Sequence, residues 1–147
     1  MSYVFTRVAP ADRVHRGCHD LTGCGMVVGM IGRLHTVVID GPNPAALAEF
    51  YSELLGLPIT ERDSDWVTIG GEGWTRIAFQ LAPDLAPPAV PDPQRPQQLH
   101  LDVQVDDIDS AEQQVLALGA TRLPGDESDF RVYADPAGHP FCLEFDP

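Results

Sequence analysis

The stretch "LHTVVIDGPNP" at residues 34–44 has a counterpart, "LHLDVQVDDID", at residues 99–109. Each stretch begins with Leu-His and continues into an apolar run that ends at an Asp. The β-branched residues of the first run predict a strand over 33–40, and the Asp-Gly-Pro that follows predicts its end. A strand is predicted in the second stretch as well. This repetition indicates that the chain is built from two similar halves.

A helix is predicted after each of these strands. The first has Asn43 as its N-cap, Pro44 at its first position and Gly56 at its end. Its apolar residues recur at helical spacing: Leu47, Phe50, Tyr51 and Leu54. The second helix is capped by Asp107 or Asp109 and has a similar stripe: Ile108, Ala111, Val115 and Leu118. Both helices are therefore expected to pack one face against a sheet.

Three further short strands follow each helix, so both halves have the order strand, helix, strand, strand, strand. The halves occupy residues 31–81 and 98–147. Residues 82–97 contain six of the fourteen prolines and predict an extended linker. One helix cannot cover both faces of a four-stranded sheet. The two sheets are therefore expected to curl around a shared cleft within one α+β domain that covers residues 30–147.

Residues 1–29 show no sustained periodicity and are expected to form a flexible N-terminal extension. Cys18 and Cys24 lie there, and with His19 they offer half of a zinc site, but no second ligand pair follows at finger spacing. Three cysteines do not make a disulfide framework, which favours a reducing compartment. The extension has no apolar segment of signal length, and no run is long enough to span a membrane, so we expect a cytoplasmic protein.

The charge balance argues against two classes of partner. The 147 residues carry 22 acidic and 9 basic side chains, for a formal charge of -13. Such a surface repels nucleic acids and anionic membranes, and the basic residues are scattered singly. All of the basic residues are Arg, so Schiff-base chemistry through Lys is excluded. We expect neither nucleic acid nor membrane as a partner.

Four polar residues occupy equivalent positions in the two halves. Alignment on the Leu-His pairs places His35 opposite His100, and alignment of the last strands places Gln80 opposite Glu144. Two imidazoles, a carboxylate and an amide oxygen can bind a divalent metal and leave a position open for substrate. The other interpretation is that each His is a hydrogen-bonded structural residue at a strand end.

Four more residues are predicted to line the substrate cavity. Cys142 shares a strand face with Glu144 because side chains alternate along a strand. Trp66 forms the cavity wall or packs at a dimer interface. Arg76 pairs with a carboxylate of the protein or binds a substrate anion, and Phe130 belongs to the pocket floor or the core. His139 lies in a predicted turn and is assigned no role.

Taken together, three segments resemble the vicinal oxygen chelate superfamily, in particular its glyoxalase-like branch: "LHTVVIDGPNPAALAEFYSELLGLPI", "LHLDVQVDDIDSAEQQVLALGATRL" and "DPAGHPFCLEF". The resemblance implies two βαβββ modules that form a cupped mixed β-sheet with flanking helices. It also implies metal ligands on the first and last strands of each module, which map onto His35, Gln80, His100 and Glu144. The usual D-P-x-G-x-x-I-E ending would place the carboxylate at Cys142, whereas Glu144 lies about 7 Å further along the strand.

The resemblance implies a metal-dependent lyase or isomerase that acts on a small substrate chelated through neighbouring oxygens. The divalent ion would be Zn, Ni, Mn or Fe, and Glu144 would act as ligand and general base. One alternative is a metal-free small-molecule binding protein of the bleomycin-resistance type. Others are an extradiol-type dioxygenase and a structural or regulatory domain. A homodimer is also expected.

Overall fold

The computed structural model describes residues 34–71, 75–89 and 92–146. The predicted extension at 1–29, with Cys18 and Cys24, and the predicted domain start at residue 30 lie outside these residues. Within the described ranges the chain contains two helices and eight strands, in the order strand, helix, strand, strand, strand, twice over.

The first module contains five elements: β1 (Val37–Gly41), α1 (Pro44–Leu55), β2 (Ile59–Arg62), β3 (Trp66–Ile69) and β4 (Ile77–Leu81). Its strands form a mixed sheet in the order β1-β4-β3-β2. β1 is parallel to β4, and the remaining pairs are antiparallel.

The second module repeats this topology with β5 (Leu101–Gln104), α2 (Ile108–Ala117), β6 (Thr121–Arg122), β7 (Phe130–Ala134) and β8 (Pro140–Glu144). The strand order is β5-β8-β7-β6, with β5 parallel to β8. The predicted α+β class and the doubled βαβββ arrangement are confirmed.

The helix ends follow from local chemistry. Asn43 accepts a hydrogen bond from the Ala46 backbone N–H at 3.1 Å, and Gly56 ends α1 with a positive φ of 65°, a conformation that glycine adopts without steric cost. Asp107, one of the two predicted caps, accepts from the backbone N–H groups of Asp109 and Ser110. Each cap satisfies backbone donors that the first helical turn leaves unpaired.

The core joins the two modules through aromatic rings. On α1, Phe50 and Tyr51 are almost fully buried. Tyr51 stacks on Phe79 of β4 with ring centroids 5.4 Å apart, and Phe50 meets Phe141 of β8 edge to face at 5.7 Å. Tyr133 of β7 stacks on Phe141 at 5.5 Å. One helix therefore covers part of both sheets.

The two Leu-His pairs lie outside the strands whose start they were expected to mark. β1 begins at Val37, where its pairing with Ile77 of β4 begins, and β5 begins at Leu101. Leu34 and Leu99 are 81% and 54% exposed. The repeated leucines are therefore not core residues, and the two histidines lie at the sheet edges near the strand starts. None of the described helices has the length and apolarity needed to cross a membrane.

Candidate metal centre on the second sheet

The two faces of each sheet differ in their side chains. On β8, Phe141 and Leu143 face the helix-covered core, whereas Cys142 packs on the opposite face with Phe130 and Val132. On β4, Ile77 and Phe79 belong to the same core, and Gln80 is exposed. The period of two along a strand thus places Cys142 with Glu144, and Ala78 with Gln80, on the faces away from the helices.

Three potential metal ligands meet on this face of the second sheet. The imidazole of His100, the carboxylate of Asp102 and the thiol of Cys142 each offer one ligand atom, and these atoms lie within 4.8 Å of one another. We refer to these three residues as the 100/102/142 cluster. Nε2 of His100 lies 3.3 Å from Oδ1 of Asp102. Within the described ranges, this is the one group of three or more His, Cys, Asp or Glu residues with that geometry.

Strand pairing brings the cluster together. Asp102 of β5 is the Cα partner of Cys142 in the parallel β5–β8 pair, so their side chains project from the same face. His100 precedes Asp102 by two residues and reaches the same group from the end of the strand. The three residues of the cluster differ in exposure: Cys142 is buried, His100 is half-buried and Asp102 is exposed.

The Cys142 thiol is protonated at neutral pH in this setting. Burial, together with the charge and hydrogen bond of Asp102, raises the pKa of Cys142 to about 12. The thiol donates a hydrogen bond to the Asp102 carboxylate, which favours the protonated form. A metal ion that binds Sγ must displace this proton.

The carboxamide of Gln97 lies beside the other ring nitrogen of His100. The amide Nε2 is 3.3 Å from Nδ1 of His100, and the amide Oε1 is buried with no hydrogen-bond partner in the described structure. A half-turn of the carboxamide places Oε1 against Nδ1, where it accepts the ring N–H. In that arrangement Nε2 of His100 carries the lone pair of the ring on the side of Asp102, as a metal ligand requires.

The predicted residue His35 has a different environment. It is exposed, and its Nε2 lies 3.4 Å from an Nη1 of Arg76, which donates to it. Nε of Arg76 is buried and has no partner in the described structure. No carboxylate is found among the described contacts of Arg76. His35 therefore has a cationic neighbour at its Nε2.

Gln80 and Trp66 share the open face of the first sheet, where they are register partners. Trp66 donates from its indole nitrogen to Thr68 at 2.9 Å, and the Thr68 hydroxyl donates to Glu61 at 3.0 Å. Trp66 is half-buried, while Val67 and Ile69 point into the core. Side chains therefore alternate between the two faces of this strand.

Phe130 and Glu144 lie next to the 100/102/142 cluster. Phe130 is buried against Cys142 and forms the apolar base of this face with Val132 and Leu123. Glu144 is the register partner of Phe130 and of Gln104, at the end of β8. Its charge contributes to the raised pKa of Cys142, so it lies within electrostatic range of the thiol.

Residues 36–144 match the profile of a family described as a glyoxalase-like domain, which covers most of the chain. The chain belongs to the glyoxalase-like domain family. This membership agrees with the resemblance to the vicinal oxygen chelate superfamily. No curated protein sequence matches the chain.

Solved structures share the glyoxalase-like fold at low sequence identity. A glyoxalase/bleomycin resistance protein/dioxygenase family enzyme from Burkholderia phytofirmans is 20% identical, with a TM-score of 0.57 over 75% of this chain and 95% of that one. A glyoxalase-related enzyme from Fulvimarina pelagi is 19% identical, with a TM-score of 0.59 over 78% and 88%. A fosfomycin resistance protein from Listeria monocytogenes is 15% identical, with a TM-score of 0.60 over 80% and 96%. At these identities the likeness concerns the fold.

In this glyoxalase-like domain the structure brings His100 and Cys142 together with Asp102, a residue that the sequence interpretation missed. The convergence of His35, Gln80 and Glu144 with His100 on one ion stays a prediction. The missed signal was the alternation His100-Leu101-Asp102, which places a carboxylate on the face of the histidine. An acidic residue inside a predicted strand is uncommon. Like Gln80 and Glu144, it needs a partner or a metal if it is buried.

The cluster passes a chemical test for a divalent ion. It offers one nitrogen, one sulfur and one oxygen donor, a set found in zinc sites. Gln97 can orient the imidazole, and the exposed side of Asp102 leaves an open approach for a further ligand. The residues present therefore fit a divalent metal.

Proposed function

We propose that this glyoxalase-like protein binds one divalent metal through the 100/102/142 cluster and acts as a lyase or isomerase on a small substrate with neighbouring oxygen atoms. The observation that carries the proposal is the approach of three different ligand atoms to within 4.8 Å on the open face of the second sheet. When bound, such an ion would act as a Lewis acid toward a substrate oxygen.

The donor set narrows the choice of ion. A thiolate with an imidazole suits zinc or another borderline-soft ion, whereas manganese prefers oxygen ligands. The two-histidine, one-carboxylate set of many Fe(II) oxygenases is not the set found here, because one of the three donors is a thiol. This favours lyase or isomerase chemistry over the dioxygenase alternative, and zinc over the other three candidate metals.

The residues around the cluster have separate roles in the proposal. Asp102 accepts the thiol hydrogen bond and, being exposed, provides a route by which the Cys142 proton leaves to solvent. Phe130 forms a water-poor floor beside the thiol. Glu144 lies on the same face about 7 Å along the strand, where it can remove a proton next to a substrate carbonyl.

Metal content tests the proposal. Elemental analysis of the zinc-loaded, dialysed protein is expected to give one equivalent of zinc, which falls to background in His100→Ala and in Cys142→Ser. His35→Ala is the matched control, and it is expected to keep the zinc. Cobalt substitution adds an optical readout, because a cobalt–thiolate bond absorbs in the near ultraviolet. This absorption is expected to be absent in Cys142→Ser.

Two results would overturn the assignment. Loss of zinc in His35→Ala together with retention in Cys142→Ser would favour the four ligands predicted by the resemblance. An absence of zinc from the reloaded wild-type protein would reject a metal centre of either kind.

The second candidate function, metal-free binding of a small molecule, is favoured by the open face of the first sheet. Trp66 is half-buried there, with the exposed side chains of Gln80 and Glu61 nearby. An aromatic surface beside a carboxylate suits a cationic or aromatic ligand. In that case a cationic aromatic dye is expected to bind the chelator-treated protein and to lose affinity in Trp66→Ala. A homodimer stays a prediction.

A further inference from the structure

A cavity of about 390 Å³ lies between the two modules, away from the 100/102/142 cluster. Val38 and Leu101 contribute to its wall from β1 and β5, and Pro140 contributes from β8. The proline-rich linker covers it with Leu85 and Pro96. This volume is within the range of small-molecule sites, and such sites often occur between structural units.

A histidine held by a buried carboxylate lies in the wall of this cavity. His139 lines it, and Nδ1 of His139 is 3.1 Å from Oδ2 of Asp135. Asp135 is 4% exposed, and its Oδ2 also accepts a hydrogen bond from the Tyr51 hydroxyl at 3.0 Å. Tyr51, which comes from α1, lines the same cavity.

The turn that contains Asp135 does not require an imidazole at position 139. Oδ1 of Asp135 accepts the backbone N–H groups of Ala137 and His139 at 2.8 and 2.9 Å, and a residue of any type except proline could supply the second. The side-chain contact between His139 and Asp135 is additional to the turn. It fixes the orientation of the ring, as carboxylates do for functional histidines.

The hydrogen bonds assign the tautomer of His139. An ionised carboxylate only accepts hydrogen bonds, so Nδ1 carries the proton and donates to Asp135. Nε2 of the neutral ring therefore holds a lone pair and can accept a proton from a ligand.

A cationic side chain lines the cavity from the linker. Arg95 is more than half exposed, and its ion pair with Asp92 is long, at 3.6 Å. Gln94 of the linker and Gln98, which follows the linker, also line the cavity. The exposed carboxylate of Asp40 also lines the cavity, so the cavity as a whole is not cationic. Arg95 and a protonated His139 are the two groups in its wall that attract an oxygen anion.

We propose that this cavity binds a small, largely apolar molecule with an acidic hydroxyl group, such as a phenol or a carboxylic acid. The ligand binds as its oxygen anion while Nε2 of His139 gains one proton, which comes from the hydroxyl of a neutral ligand or from solvent when the ligand is already ionised. The anion is stabilised by the resulting imidazolium and by Arg95. The apolar body of the ligand packs against Val38, Leu101 and the linker prolines. This site shares no residue with the proposed metal centre and does not depend on it.

Calorimetric titration of the full chain with three probes tests this proposal. Benzoate and 4-nitrophenol carry an acidic hydroxyl in their protonated forms, while benzyl alcohol has a similar apolar body and a hydroxyl that is not acidic. We expect the first two to bind and benzyl alcohol to bind at least roughly tenfold more weakly, equivalent to the loss of one charge-assisted hydrogen bond. Tighter binding of benzoate or of 4-nitrophenol shows whether the site prefers a carboxylic acid or a phenol.

Substitutions test which residues of the cavity bind the acidic probe. His139→Asn and Arg95→Gln are expected to weaken binding of the acidic probe by roughly tenfold and severalfold, respectively. Arg62→Gln is the matched control, because Arg62 is also an exposed arginine in a single ion pair but does not line the cavity. It is expected to bind like the wild type, and removal of metal by a chelator should not change any of these affinities.

An NMR measurement on the wild-type chain gives a result that does not depend on whether His139→Asn folds. The imidazole nitrogen signals of His139 are expected to change from the neutral to the protonated pattern when benzoate or 4-nitrophenol is added. Unchanged His139 signals, equal affinity for benzyl alcohol, or wild-type affinity in a folded His139→Asn would each overturn the proposal.

Discussion

At the scale of single residues, Cys142 has a chemistry that is set by its surroundings. The side chain is buried beside Phe130, and its thiol donates to Asp102. A thiol in this environment is a poor nucleophile because the thiolate form is rare. The same thiol can become a metal ligand, since a bound cation stabilises the thiolate that the apolar surroundings disfavour.

We expect Cys142 to react slowly with iodoacetamide in the metal-free protein. Its pKa of about 12, compared with about 8.5 for a free thiol, reduces the thiolate fraction at neutral pH on the order of a thousandfold. Mass spectrometry of the peptide that contains Cys142 measures the labelling rate in the folded protein and in urea.

Asp102→Asn is the informative variant for this prediction, because it removes a carboxylate that raises the Cys142 pKa. It is expected to speed the labelling of folded protein severalfold. Labelling of the folded wild type at the rate found in urea would contradict the environment described for this thiol.

At the scale of elements, α2 is attached to its sheet by polar contacts as well as by its apolar side. Val115 is its one buried residue, and the predicted stripe residue Leu118 lies just beyond the helix and is 38% exposed. Glu112 on α2 accepts hydrogen bonds from Tyr133 at 2.6 Å and from Arg131 at 2.9 Å, and it also pairs with Arg122. This network connects the helix to β6 and β7.

Glu112→Gln is expected to lower the free energy of unfolding by about 1–2 kcal/mol at neutral pH. The hydrogen bond from Tyr133 and the charges of Arg131 and Arg122 lower the pKa of Glu112. Its contribution to stability is therefore complete above the ordinary Glu pKa of about 4.3 and is lost as the pH falls through the lowered value. Urea unfolding at neutral and acidic pH should show the difference between wild type and variant shrinking in acid.

The matched control for this helix is Glu49→Gln. Glu49 lies on α1 and pairs with Arg62 in an exposed contact at 3.3 Å. Such surface pairs contribute at most about 1 kcal/mol, and often nothing measurable. Equal effects of the two substitutions at neutral pH would contradict a special role for the Glu112 network.

At the scale of the whole molecule, α1 packs against both modules, so we expect them to unfold as one cooperative unit. Its Phe50 and Tyr51 bridge Phe79 of the first sheet and Phe141 of the second. The hydrogen bond between Tyr51 and Asp135 adds a polar link across 84 positions of sequence. Burial of these rings removes apolar surface from both modules at once.

Phe50→Ala is expected to lower the free energy of unfolding by about 3–5 kcal/mol and to weaken both modules together. The two tryptophans, Trp66 and Trp74, both belong to the first module, so their fluorescence reports on it. Hydrogen exchange of the β8 amides reports on the second. The two probes should give coincident transitions in the wild type and the variant.

The control for this variant is Leu116→Ala, since Leu116 is a large apolar residue with 41% exposure. A change within about 0.5 kcal/mol is expected there, as for other surface substitutions. Two separate unfolding transitions, with the second module unaffected by Phe50→Ala, would show that the modules are independent.

Local sequence patterns were sufficient for the order of the elements, although the two Leu-His pairs did not mark the strand starts. Helical spacing identified the buried side of α1, and Asn43 and Gly56 marked its ends, because caps and amphipathic periods depend on neighbouring residues. The repeated order of elements predicted two βαβββ modules. The period of two predicted that Cys142 shares a strand face with Glu144.

Contacts between distant segments were decided by the tertiary structure. The register of β5 against β8 placed Asp102 beside Cys142, and the end of β5 placed His100 near both. The fold also placed Arg76 against His35, and it buried Asp135 under Tyr51 so that His139 is held in a cavity wall. Periodicity assigns a side chain to a face, but the pairing partner depends on strand register and on packing across the whole chain. The sequence by itself therefore determined the family and the modules, and the tertiary structure decided which side chains meet.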